Sequence, residues 1–257
     1  MEILVCVKRV PQVGGRIVIT QDGQDVETRM SGFAMSPHEE CAVEEAVRLT
    51  QRLGGTAAVL TLGPPGAAEQ LRDALALGAG HGILLETDGR EWGPIATAAA
   101  ITDAVRRKAA EGDGLGYDLL LFGNEAADTG DYQVGVRVAE SLGWPCATGI
   151  KHLEIDGGTV RARREYRGTG ETYEFALPAV ITVKEGINLP RYPSLPGRLR
   201  AKRAVLEQHQ PVWSAEGLRK TGLRVPAEQR QQATVLGTGP DAVPALVKLL
   251  EELGVLR

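Results

Sequence analysis

Through the first 150 residues, short apolar runs alternate with longer amphipathic ones, the pattern that a parallel sheet with crossover helices produces. The runs predict strands at 2–7, 56–62, 81–86 and 118–123 and helices near 66–77, 93–110 and 132–142. Between the first two strands, Ser36, Pro37, His38 and Glu39 have the form of a capping box with proline at the first helical position, so a helix should start there. Its body agrees: Val43, Ala46, Val47 and Thr50 recur at helical spacing, and Glu44 and Arg48 are spaced to pair on the outer face.

Ligands of open parallel sheets sit beyond the carboxyl ends of the strands, so the loops after Val7, Leu62 and Gly123 are the places to look for one. The character changes at about residue 149. Leu153 to Val160 forms two strands joined by an Asp156-Gly157 turn, which predicts antiparallel additions, and Ala179 to Val183 is a further β-branched strand. Behind it, the segment from Asn188 to Pro196 carries prolines at 190, 193 and 196, which should make it a projecting, semi-rigid loop. The stretch from about 206 to 239 is polar and glutamine-rich, with Trp213 its one large aromatic. Val243, Leu246, Val247, Leu250 and Leu253 then form a single apolar helical stripe. Such a helix needs a surface to pack on, either its own domain or, as favoured here, another chain.

Composition narrows the function classes. The chain has 257 residues, 43% of them hydrophobic, with a formal net charge of -4, so the basic footprint of a nucleic-acid binder is missing. Cys6, Cys41 and Cys146 are far apart and include no C-x-x-C pair, which fits buried cysteines in a reducing compartment. The start of the chain moves directly into a short strand without a leader pattern, and no run approaches the roughly 18 apolar residues of a membrane span. A soluble, cytoplasmic protein is expected.

Catalytic motifs are missing. There is no G-x-S-x-G elbow and no P-loop, and His38, His81, His152 and His209 show no metal-ligand spacing. Gly237, Gly239 and Ala242 imitate a dinucleotide fingerprint, but too little chain follows to complete it, so they form a turn before a helix. The informative stretch runs from Asp118 to Gly135: a strand, a polar loop of small residues and a helix start. Free backbone N–H groups at such a start suit a phosphate, with Thr129 and Gln133 as further donors. On physical grounds the stretch is either a nucleotide loop or an ordinary strand-to-helix connection.

At this loop the chain resembles the electron transfer flavoprotein beta family, and the resemblance extends over nearly the whole sequence. It includes Val7 to Val10, Cys41 to Leu49, Ala74 to Ala79, Asp128 to Gln133 and Gly143 to Pro145. The most specific segment is Ala162 to Glu171 followed by Leu177 to Thr182, similar to the family's signature; Arg164, Gly168, Glu171 and Pro178 keep its register, while Arg167, Thr169 and Tyr173 depart from it. The resemblance implies an α/β fold: an open, mostly parallel nucleotide-binding sheet flanked by helices, with antiparallel additions and an extended C-terminal arm ending in a helix. The implied division is a nucleotide-binding domain over 1–205, with a docking loop at 185–200, and an arm and helix over 206–257 that pack on an alpha subunit.

The resemblance also implies a subunit that binds AMP, while the alpha subunit holds most of the FAD. Carried over by position, the AMP contacts are Cys6, Ser36, Pro37, His38, Glu39, Leu62, Gly123, Asn124, Glu125, Ala126, Ala127, Asp128, Thr129, Gly130, Asp131, Tyr132, Gln133 and Val134. Ser36 stands where many members have asparagine, and Leu62 offers only apolar contact beside its backbone. The proline-rich loop resembles the segment by which the family docks on its dehydrogenases, with Leu195 as the apolar anchor between Pro193, Ser194 and Pro196. The basic run Arg198, Arg200, Lys202 and Arg203 either biases docking toward acidic partners or is a solvated face. The implied function is an electron carrier without catalytic residues of its own, serving flavin dehydrogenases such as the acyl-CoA dehydrogenases of fatty acid beta-oxidation and a membrane-bound, quinone-reducing acceptor. Alternatives are a flavin-bifurcating member with FAD in the beta site and an adenine-nucleotide-binding stress-type protein.

Overall fold

The computed structural model describes the chain except residues 13–16, 30, 89, 91, 112–115, 216, 218, 227–233 and 257. The first strand, β1 (Glu2–Val7), is buried from Ile3 onward. Ile3, Val5 and Val7 enter one core and Leu4 and Cys6 the other, because helices cover both faces of its sheet and leave no polar side to alternate with. Two short strands, β2 (Val10–Pro11) and β3 (Phe33–Ala34), pair antiparallel before α1 (Pro37–Leu53). Then come β4 (Thr56–Gly63), α2 (Ala68–Leu77), β5 (His81–Glu86), α3 (Pro94–Glu111), β6 (Leu119–Gly123) and α4 (Val134–Leu142). These elements match the predicted runs closely.

The second half adds β7 (Cys146–Ile150), β8 (His152–Asp156), β9 (Thr159–Tyr166), β10 (Thr169–Ala176), β11 (Ala179–Val183), α5 (Leu195–Arg203), β12 (Glu207–His209) and α6 (Val243–Glu252). Seven strands form one parallel sheet in the order β12-β5-β4-β1-β6-β11-β7. The antiparallel strands β8, β9 and β10 stand in a sheet of their own. Its inner face delivers Leu153, Ile155, Val160 and Ala162 to the α1 side of the core.

Three details depart from the periodicity. The loop expected to run through Pro196 turns helical at Leu195: the Ser194 hydroxyl accepts the Gly197 N–H at 3.1 Å, and Pro196 occupies a first-turn position that needs no N–H donor. The polar stretch after 206 begins as an edge strand rather than as free arm. Glu207 to His209 pair with Ile83 to Leu85, and the Glu207 carboxylate bonds to His209 and, at 2.7 Å, to His81, which hold it below the usual carboxylate range. Glu44 and Arg48 do pair, at 2.6 Å, but Glu44 is almost wholly buried because the segment after β11 covers that face of α1.

Candidate ligand cleft at the switch point

From β1 the sheet grows to one side through β4 and β5 and to the other through β6 and β11, so the strand order reverses between β1 and β6. A switch point of this kind leaves a crevice at the carboxyl ends of the strands. There the ends of β1, β4 and β6 enclose a cleft of about 270 Å³.

Its floor is fixed by the first turn of α1. The Ser36 hydroxyl accepts the Glu39 N–H at 3.3 Å, and Glu39 Oε2 accepts the Ser36 N–H at 2.9 Å, completing the capping box. Glu39 Oε1 accepts the Lys8 N–H at 2.8 Å, which ties the helix to the end of β1. Burial pushes the Glu39 carboxyl up to about 7 despite these N–H donors and the nearby Lys8 charge. Burial first, and Glu39 second, drive the Cys6 thiol upward, which favours its protonated form. Gly123 is required beside them: a Cβ there would lie 2.8 Å from Glu39 Cγ.

The β6–α4 loop closes on itself. Ala126 donates its N–H to the Asp131 carbonyl at 3.0 Å, and Gly130 donates to the Ala126 carbonyl at 2.8 Å. Lys8 Nζ reaches Asp128 Oδ1 at 2.7 Å and tethers the loop to β1. Asn124 is anchored from below, its N–H on the Val183 carbonyl at 2.9 Å and its Oδ1 accepting the Thr182 hydroxyl at 2.9 Å. α4 then starts without a side-chain cap at Gln133, whose Oε1 accepts from Arg137 Nη2 at 2.8 Å instead. The first-turn N–H groups of α4 therefore have no side-chain acceptor, and the positive end of the helix stands at the cleft, where Val134 and Gly135 form part of the wall. Gly135 permits this approach, since a Cβ would meet Thr182 Cγ2 at 3.0 Å.

Of the residues singled out from sequence, Cys6, Glu39, Leu62, Gly123, Asn124, Glu125, Ala126, Asp131, Tyr132 and Val134 line this cleft. Ser36, Pro37, His38, Ala127, Asp128, Thr129, Gly130 and Gln133 stand outside its lining. Ser36, Asp128 and Gln133 shape the cleft through the bonds above, and the Thr129 hydroxyl is spent on Asp131 Oδ2 at 2.8 Å. Pro193, Ser194, Leu195 and Pro196 also stand outside it, at the entry to α5. Sequence reasoning singled out the loop after Val7 without naming Lys8 and Arg9 in it, and missed a second group, Thr87, Arg90 and Trp92 after β5, with Thr97 and Ile101 on α3. The strand-end rule applied to β5 would have found the second group. The Arg9 guanidinium lies over the Phe33 ring at 3.2 Å, with its Nε buried and unpartnered. Among the described residues no cluster of His, Cys, Asp or Glu is arranged to hold a metal ion, and no helix is long and apolar enough to cross a membrane.

Fold and cleft together define a doubly wound α/β protein with an open crevice at its switch point. Residues 26–212 match the family model described as "Electron transfer flavoprotein domain". The chain is 35% identical over 210 residues to "Electron transfer flavoprotein subunit beta" of Bacillus subtilis, covering 81% of this chain and 78% of that one. It is 37% identical over 206 residues to the protein of the same name from Bradyrhizobium diazoefficiens, covering 79% of each. With that of Homo sapiens it shares 33% identity over 258 residues, 99% of this chain and 98% of the other. The chain belongs to the electron transfer flavoprotein beta subunit family.

Proposed function

We propose that this chain holds AMP in the switch-point cleft and pairs with a larger alpha subunit carrying most of the FAD. The heterodimer passes electrons from flavin dehydrogenases, such as acyl-CoA dehydrogenases, to a membrane-bound, quinone-reducing acceptor. The observation that carries the reading is the uncapped start of α4 facing a cleft of about 270 Å³, an anion site in a space near the small end of ligand pockets, which suits a mononucleotide. Cys6, Leu62 and Phe122 supply apolar wall for a base, and the backbone N–H groups of Val134 and Gly135 are donors for a phosphate. FAD supplies the electron-carrying chemistry when bound; the side chains of this cleft bind and orient. On this reading the flavin does the redox chemistry and the chain acts as carrier.

Residues 1–205, with the edge strand β12 added to their sheet, form the nucleotide-binding and docking part, and the chain after His209 the arm that seats on the alpha subunit. Support for the second role comes from α6, which has no buried residue and exposes Val243, Leu246, Val247 and Leu249, a stripe that needs a cover. Support for docking comes from Leu195, 71% exposed at the first position of α5. Nucleotide analysis of the purified complex tests the reading: a yellow heterodimer should release FAD and AMP in about equal amounts. Two FAD and no AMP would select the bifurcating variant, and a colourless monomer that hydrolyses ATP would refute the carrier role.

A further inference from the structure

We infer that Glu44 is the positioning residue of the docking segment, holding it in its binding shape before a partner arrives. The inference rests on the docking role proposed above. Glu44 lies on α1, far in sequence from that segment, and its side chain is 2% exposed. Its Oε2 accepts from Arg191 Nε at 2.8 Å and from the Arg191 N–H at 3.2 Å, while its Oε1 accepts from Arg191 Nη2 at 3.1 Å and from Arg48 Nε at 2.6 Å. This is a forked guanidinium–carboxylate pair with a second guanidinium on the same carboxylate, a geometry that fixes orientation as well as distance.

Neighbouring bonds extend the hold. Arg48 Nη2 donates to the Leu189 carbonyl at 3.1 Å, and Asn188 Nδ2 donates to the Cys41 carbonyl at 3.0 Å and to Glu45 Oε2 at 2.9 Å. At the other end of the segment, Arg72 on α2 donates to the Ala201 carbonyl at 2.7 Å and the Lys202 carbonyl at 3.1 Å. Gly197 sits where a Cβ would be 2.6 Å from the Ala76 carbonyl oxygen. Both flanks are thus clamped to the body, while Leu189, Tyr192 and Leu195 between them are 82%, 94% and 71% exposed. Apolar side chains this exposed on backbone this constrained form a pre-ordered anchor for an apolar pocket, and its ordering entropy is already lost before docking.

The test uses the purified heterodimer carrying Glu44→Gln or, on the more exposed side of the pair, Arg191→Ala. Hydrogen exchange of residues 186–194 is followed together with kcat and KM for the heterodimer as electron acceptor of a flavin dehydrogenase reduced by its acyl-CoA substrate. Both variants should speed exchange in that segment and raise KM about tenfold with kcat and flavin content unchanged, the signature of lost pre-organisation. Leu195→Ala should raise KM as well, and combining it with Glu44→Gln should give less than the product of the two effects. Unchanged exchange in both variants would overturn the assignment. Faster exchange with unchanged KM would also overturn it if Leu195→Ala alone raises KM; if Leu195→Ala too has no effect, the docking role itself fails.

Discussion

Glu39→Gln should remove most of a fall in stability that the parent shows between about pH 5 and pH 8. The Glu39 carboxyl is buried on the cleft floor and raised from its ordinary 4.5 to about 7. In the folded state it therefore holds a proton that the unfolded chain has already released over this window, so stability declines as pH rises through it and levels off above. At about 1.4 kcal/mol per pH unit, the shift corresponds to roughly 3 kcal/mol. Glutamine is neutral throughout. Its carbonyl can accept one of the two N–H groups that the carboxylate serves, from Lys8 and Ser36, and its amide leaves the other without an acceptor. That loss is a constant offset of about 1–3 kcal/mol, independent of pH.

The diagnostic is therefore the slope of the difference between variant and parent. Urea unfolding followed by tryptophan fluorescence, at matched nucleotide content and several pH values, supplies it. Other carboxyls that burial raises, Glu45 and Asp73 among them, slope the same way but occur in both proteins and cancel. Carboxylates held low by partners, such as Glu44 and Glu207, lose their contribution only as pH falls below the ordinary carboxylate range, outside this window. Relative to the parent, the variant should gain about 3 kcal/mol between pH 5 and pH 8. Parallel stability curves would refute the raised carboxyl.

Two further outcomes follow from the packing. Gly123→Ala places a methyl 2.8 Å from Glu39 Cγ and 3.3 Å from His38 Cβ, and should cost about 1–3 kcal/mol, seen as a Tm lower by several degrees; an unchanged Tm would mean that the first turn of α1 gives way freely. Leu246→Glu puts a charge on the exposed apolar stripe of α6, which has no buried residue, and should weaken association with the alpha subunit by about tenfold or more without changing the circular dichroism of the chain. Co-purification at parental yield would remove α6 from the subunit interface.

Elements whose burial is set by their own period were legible in the sequence. β1 and α1 are examples: a continuous apolar run and a capped amphipathic helix each carry their own signal. β12 was not legible, because Glu207, Gln208 and His209 have no apolar pattern; their strand exists through pairing with β5 and through two histidines that meet one carboxylate. α5 was hidden by Pro193 and Pro196, which suggest extended backbone although proline is compatible with a helix's first turn. The cleft was legible through strand ends, yet Arg90 and Trp92 escaped because they enter from the loop after β5, a strand end outside the three that the sequence singled out. Glu44 escaped for a related reason. Its partner Arg191 is distant in sequence, and the spacing to Arg48 suggested only a surface pair.

Glu39 and Glu44 show how partners rather than position set the behaviour of a buried acid. They sit about 7–8 Å apart along the axis of one helix, at 1.5 Å per residue, and both are shielded from solvent. Glu39 meets the Ser36 and Lys8 N–H groups, the Ser36 hydroxyl and the Lys8 charge but no guanidinium, so desolvation dominates and its carboxyl rises to about 7. For Glu44 burial also raises the carboxyl, but hydrogen bonds from Arg191 and Arg48 outweigh it and hold the group below the usual range. Near neutrality the cleft floor therefore exchanges a proton while the carboxylate under the segment after β11 remains an anion. A change of one pH unit around neutrality alters the charge on the cleft floor and leaves the bonds from Glu44 and Arg48 to Arg191 and Leu189 untouched. α1 thus carries a titrating group at one site and a permanent charge at the other, and the difference comes from two arginines.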